Sequence, residues 1–161
     1  MRKNIIRITA MLVLTAMLLC ACGAKDQSFS SNGLTMDLPG NYERITDQEA
    51  SGYTFAMGSS KSIVMGLKEG KDMIAAYGLE LNLDEYTEMV LMANNLNSTV
   101  TYEGNIPTFT FVSDVNGVDF KYLAATYEGQ DAFWLIQFAC KEENFDNMYD
   151  TFVKYLKTVN P

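Results

Sequence analysis

Cysteine, histidine and carboxylate side chains are the groups with which this chain could do chemistry, and their numbers restrict it at once. There are three cysteines, Cys20, Cys22 and Cys140, and no histidine. Without an imidazole, neither a Ser-His-Asp set nor a Cys-His pair can be assembled, and a zinc site of the usual Cys/His kind is out of reach. Cys140 ends the apolar run Phe133-Trp134-Leu135-Ile136-Gln137-Phe138-Ala139-Cys140. That is the setting of a buried, inert thiol rather than a reactive one. Acidic residues are plentiful, but Asp84, Glu85 and Glu88, and Glu142, Glu143 and Asp146, each open an expected helix, where capping and dipole compensation account for them. Nothing brings a glycosidase-like carboxylate pair into a cleft. Asp114-Val115-Asn116-Gly117-Val118-Asp119 faintly resembles a calcium loop, but it lacks the late bidentate Glu, and a hairpin turn explains the same residues. No phosphate-binding or dinucleotide-type glycine loop is present. The chain therefore reads as non-enzymatic, with no cofactor and no metal.

Methionine is the more suggestive residue. Met36, Met57, Met65, Met73, Met89, Met92 and Met148 fall in the body of the chain. Methionine fills irregular core space, and it is over-used on adaptable binding surfaces. Both readings apply here. Most of these residues suit a core, while Met57, Met65, Tyr86 and Met89 could line a groove between the second hairpin and the first main helix. Such a groove would take a small apolar ligand, a lipid or a peptide.

The first residues supply a second kind of chemistry. Arg2, Lys3 and Arg7 precede an uncharged run over residues 8–19. As a helix that run spans roughly 18 Å, short of a hydrocarbon core of about 30 Å. A cleaved leader fits better than a permanent span. Leu19-Cys20-Ala21-Cys22-Gly23 resembles the end of a bacterial lipoprotein signal peptide, which wants a large aliphatic residue at −3 and a small one at −1. Cys22 has Leu19 and Ala21 at those places, whereas Cys20 has Met17 and Leu19. Cys22 is the expected lipidated N-terminus, with two acyl chains on its thiol for stable anchoring. The alternative is an ordinary secretory leader cleaved near Ala21. Lipidation of Cys22 and loss of Cys20 would leave Cys140 unpaired, so no disulfide is expected.

The chain divides into residues 1–21 (signal peptide), 22–28 (a lipid-anchored tether) and 29–161 (one domain). Twelve Lys and Arg against twenty Asp and Glu give a formal charge of −8. Removing the leader makes the remainder more acidic still. This balance argues against nucleic acid and against an electrostatic grip on anionic lipid.

The elements that must carry these residues follow from local signals. Asn32-Gly33 and Asn116-Gly117 supply the paired φ > 0 positions of type I′ hairpins. A second hairpin is expected over residues 53–67, with alternation at Tyr53, Phe55, Met57 and at Ile63, Met65, Leu67. Asn82 with Glu85 forms a capping-box pair, followed by Tyr86, Met89, Val90 and Ala93 as one apolar stripe. Residues 98–103, 108–113, 118–127 and 132–140 read as strands. The last is apolar on both faces and hence central. A closing helix over residues 142–158 buries Phe145, Tyr149, Phe152 and Leu156. The class is α+β, an antiparallel sheet of hairpins and a meander packed with two main helices.

Three stretches carry a family resemblance. Gly33-Leu34-Thr35-Met36-Asp37-Leu38-Pro39 is similar to the opening strand of PsbP/DcrB-like domains. Asn82-Leu83-Asp84-Glu85-Tyr86 is similar to their first helix. Residues 133–140 with Glu142-Glu143-Asn144-Phe145 resemble their last strand and final helix. The resemblance implies an antiparallel sheet between helices, used in that family for docking onto other proteins, and it implies no catalytic residues. Similar sequences occur as small bacterial lipoproteins. The expectation is a lipid-anchored module on the extracytoplasmic face of the cell membrane, with the membrane and an envelope protein as partners. Metabolic labelling with palmitate tests the anchor. Cys22→Ala should lose the label and accumulate unprocessed precursor, whereas Cys20→Ala should keep it.

Overall fold

The computed structural model describes residues 25–46 and 52–161. Cys20, Cys22 and the expected signal peptide lie outside the described residues. Among those described, no helix is long and apolar enough to cross a membrane.

The Asn-Gly dipeptides act where the backbone requires them. Asn32 and Gly33 have φ of 50° and 97°, and they join β1 (Gln27–Ser31) to β2 (Leu34–Leu38). Asn116 and Gly117, at 56° and 82°, join β7 (Ile106–Val115) to β8 (Val118–Glu128). The Asp114 side chain accepts a hydrogen bond from Gly117 N at 3.1 Å, so this carboxylate serves the turn. The first strand starts at Gln27, two residues inside the expected tether. Asp26 just before it is held by Lys154 Nζ and by the Tyr155 hydroxyl, each at 2.6 Å.

The remaining elements are β3 (Glu43–Arg44), β4 (Phe55–Gly58), β5 (Ile63–Gly70), α1 (Lys71–Ala76), α2 (Leu83–Ala93), β6 (Thr101–Glu103), β9 (Ala132–Lys141), a single 3-10 turn (Glu142–Asn144) and α3 (Phe145–Leu156). At α2 both halves of the expected capping box are made. The Asn82 side chain accepts from Glu85 N at 3.0 Å, and Glu85 Oε2 accepts from Asn82 N at 2.9 Å.

Seven strands form an antiparallel sheet in the order β3-β4-β5-β9-β8-β7-β6, with β1 and β2 as a separate pair. The chain leaves β5, passes through α1 and α2 to the far edge, and returns as the meander β6-β7-β8-β9. This brings β9 to the centre, where Ala132 to Cys140 are all buried. Alternation then sorts the sheet into two faces. One presents Met57, Val64, Leu123, Tyr127, Trp134 and Ile136 to the β1–β2 hairpin and α3. The other presents Phe109, Ala124, Phe133 and Leu135 to α1 and α2.

The observed class is the expected α+β, with three corrections in detail. The stripe on α2 is rotated, so that Tyr86, Thr87, Val90 and Leu91 are buried while Ala93 is exposed. Thr87 turns inward because its hydroxyl bonds both Leu83 O, at 2.8 Å, and Thr126 Oγ1 of β8, at 2.6 Å. On α3 the buried set is Phe145, Phe152, Tyr155 and Leu156, with Tyr149 only half-buried. The strand expected over residues 98–103 shortens to β6, at the sheet edge.

The C-terminus closes the molecule. Thr35 and Asn160 exchange backbone hydrogen bonds at 2.8 Å, and the Tyr127 hydroxyl donates to Leu156 O at 2.8 Å. Strands β4 and β5 pack closely at Gly66. A Cβ on Gly66 would fall 2.1 Å from Phe55 Cε1, and that ring is buried in the main core. Gly66→Ala should therefore destabilise the fold by about 1–3 kcal/mol through overpacking. Gly52→Ala, with no described residue within 4 Å, should fall within about 0.5 kcal/mol of the parent. Urea unfolding of the two variants checks the contrast.

Candidate functional site

The structure does not bring Met57, Met65, Tyr86 and Met89 together. Phe55 pairs with Gly66 and Met57 with Val64, while Met65 pairs with Ala56. Met57 and Met65 consequently point to opposite faces of the sheet. Met57 is in the core beneath the hairpin and α3. Met65 packs with Ala56, Tyr122 and Ala139 on the other face. Tyr86 is fully buried, stacked on Phe133 with ring centroids 4.5 Å apart. Its hydroxyl donates to Glu69 Oε2 at 2.5 Å. Met89 is half-buried and opens outward with Met92.

Two surfaces take the place of the expected groove. One is an apolar face on the α1–α2 layer. Met73, Tyr77, Leu79 and Met92 are four of the eight large hydrophobics exposed on the described residues, and Tyr77 is 82% exposed. Leu79 and Leu81, in the α1–α2 connection, form a shallow open trough with Met89, Met92 and Ala93 of α2. Asp84, Glu85 and Glu88 rim it. The spacing of Glu85, Glu88, Met89 and Met92 keeps them on one side of the helix. The sequence pattern hides this face, because Met89 falls in the stripe expected to face inward while Met92 lies beside it on the outer side. The second surface is a cleft between the second hairpin and α2, lined by Tyr53, Asn94, Phe111, Tyr122 and Gln137 among others. Gln137, the one polar residue in the apolar run of β9, was the available signal for it.

Among the described residues, no group of three or more His, Cys, Asp or Glu side chains is arranged to hold a metal ion. Cys140 is buried in β9, unpaired, and burial pushes its thiol pKa up. A thiol in that state is a poor nucleophile.

The strongest electrostatic perturbations are at buried tyrosines. Burial first, and then the hydrogen bond to the Glu69 carboxylate, push the Tyr86 hydroxyl well above the ordinary phenol range. Burial alone does so for Tyr127. Both hydroxyls are raised in the folded state, so their contribution is complete below about pH 10 and is lost as pH rises through the folded values. Alkaline titration should show the tyrosinate absorbance of Tyr86 and Tyr127 appearing together with loss of the far-ultraviolet circular dichroism. Tyr86→Phe and Tyr127→Phe should each remove one equivalent from that step. Ionisation of all nine tyrosines ahead of unfolding would contradict it.

No family model and no curated protein matches this chain. Among solved structures, the chain is similar to a crystal structure from Bacteroides thetaiotaomicron, with a TM-score of 0.55 and 9% identity. That likeness covers 86% of this chain and 48% of the other, so this chain spans about half the length of that protein. It is also similar to the solution structure of cyanobacterial PsbP (CyanoP) from Synechocystis, with a TM-score of 0.48 and 11% identity, over 88% of this chain and 95% of that one. At 9% identity, what is shared with the Bacteroides protein is the fold, an α+β arrangement with an antiparallel sheet.

Proposed function

We propose that this protein is a non-enzymatic interaction module, lipid-anchored at Cys22 on the extracytoplasmic face of the membrane, which docks another envelope protein through its α1–α2 face. The observation that carries this reading is the open apolar trough of Leu79, Leu81, Met89 and Met92, with Met73 and Tyr77 of the α1 segment also exposed. Exposed apolar patches rimmed by polar residues mark interaction sites. Methionine suits such a surface because its unbranched side chain re-packs against different partners. The acidic rim of Asp84, Glu85 and Glu88 selects the chemistry of the partner. A segment with apolar side chains flanked by Lys or Arg complements it, and like charge disfavours an acidic one.

The route of the anchor supports the same face. Asp26 is bound to Lys154 and Tyr155 of α3, on the hairpin side of the sheet. From Cys22 to Asp26 the chain can span at most about 14 Å. A lipid on Cys22 would hold the hairpin and α3 side nearer the bilayer and leave the α1–α2 side turned toward other proteins.

A photo-crosslinking residue at Met92, with a second at exposed Asp119 as control, tests the docking face in intact cells. The Met92 position should yield one discrete protein adduct that Asp119 does not. Met89→Glu should reduce it about tenfold, and Cys22→Ala should abolish it by releasing the protein from the membrane. Equal adducts from both positions, or none from Met92, would remove the reading.

A further inference from the structure

Helix α2 covers only part of its face of the sheet. Its last turn ends at Asn94, and Asn95, with φ of 52°, diverts the chain. Beyond that point lies the cleft, with a volume of about 320 Å³. Beneath it runs a row of directly opposed residues, Met65, Gln137, Ala124 and Phe109, on β5, β9, β8 and β7. Ala124 and the nearby Ala139 are too short to fill the space above the sheet. One wall is aromatic. Phe111 and Tyr122 oppose each other across β7 and β8, with ring centroids 4.5 Å apart and planes 6° apart. Tyr53, Asn94 and Ser113 contribute to the lining, and every described residue there is uncharged, in a chain of net charge −8.

Gln137 is the residue that points to a ligand. It is 8% exposed, and its side chain makes no hydrogen bond to any described residue. The other buried polar side chains are all bonded: Ser62 to Tyr42, Thr87 to Thr126, and Thr108 to Thr101. No described side-chain nitrogen or oxygen is both sealed from solvent and unpartnered. The Gln137 amide therefore reaches solvent, and the cleft it lines is the outlet. A side chain this largely buried, whose amide bonds nothing described in the protein and opens only into a cavity of ligand size, is placed to meet a ligand there.

The chemistry of the lining defines the occupant. A glutamine amide presents one acceptor and two donors in a single plane. Its complement is a planar group with an adjacent donor and acceptor, such as a carboxamide, lactam or imide edge. The aromatic wall suits a ring, and the uncharged lining would leave a charge uncompensated. From this we infer that the cleft binds a neutral, planar small molecule of one or two rings, with its amide-type edge on Gln137 and its ring against Phe111 and Tyr122. This site is separate from the docking face on α1 and α2.

The test uses the purified full chain, labelled with nitrogen-15. Benzamide and uracil are the probes, with toluene, benzoate and N-acetylphenylalaninamide as comparisons. Benzamide or uracil should bind with a Kd of about 1 mM or tighter and shift the Gln137 Nε2 resonance. Gln137→Leu should weaken that binding at least tenfold while keeping the thermal midpoint, because the amide it removes has no internal partner. Ser113→Trp, a change on an exposed residue of the rim, should block binding with Gln137 intact, and it decides the matter if Gln137→Leu does not fold. The inference is overturned if neither probe shifts Gln137, if toluene or benzoate binds as well, or if Gln137→Leu or Ser113→Trp binds as the parent does. Tighter binding of N-acetylphenylalaninamide overturns it in favour of a peptide site.

Discussion

Strand β9 has to be covered on both faces, and the rest of the structure follows from that demand. Its buried residues include Trp134, Phe133, Leu135, Ile136 and Phe138. Each large apolar side chain removed from water contributes about 1.5–3 kcal/mol, and a strand with such residues on alternate sides cannot collect that energy against one layer. The β1–β2 hairpin and α3 cover the Trp134 side, while α1 and α2 cover the Phe133 side. Both long neighbours, β5 and β8, pair along most of its length. The crossover through the helices is the connection that lets β9 enter between them.

The same demand is met unevenly. Seven strands spaced about 4.8 Å apart make a sheet roughly 29 Å wide. Two helices of about 10 Å diameter cover roughly 20 Å of it, and α1 has only six residues. Part of the α1–α2 face is therefore left to Ala56, Met65, Tyr122 and Ala139, with Tyr53 and Phe111 beside them. Small residues in this region leave a cleft rather than a packed layer. The outer sides of α1 and α2 have no further layer to meet, so Met73, Tyr77 and Met92 remain in solvent. Both candidate surfaces thus arise from the thin helical side, and the thick side, with α3 and the hairpin, holds the chain terminus and the start of the domain through Asn160 and Asp26.

The features legible in the sequence belong to residues that satisfy their own neighbourhood. The Asn-Gly turns, the capping box at Asn82 and Glu85, and the doubly apolar run at Phe133 to Cys140 each depend on bonds or burial within a few positions. The groove residues could not be read this way. Met57 and Met65 sit in the same hairpin, yet the pairing of Phe55 with Gly66 sends them to opposite faces. A pairing shifted by one residue would have placed them together. The stripe on α2 turned for an equally non-local reason, the Thr87–Thr126 hydrogen bond to a strand 39 residues away.

By itself, then, the sequence determined the α+β class, the order of the hairpins, the meander strands and the two main helices, the central place of β9 and the lack of any histidine-based chemistry, because composition, periodicity and capping are local properties of the chain; the short β3 and α1 were not among them. Only the tertiary structure decided which side chains share a surface. Strand register, helix rotation and the width of the sheet relative to its helices are set by contacts between distant segments. Those contacts put Gln137 beneath an open cleft and left Met92 on an outer face.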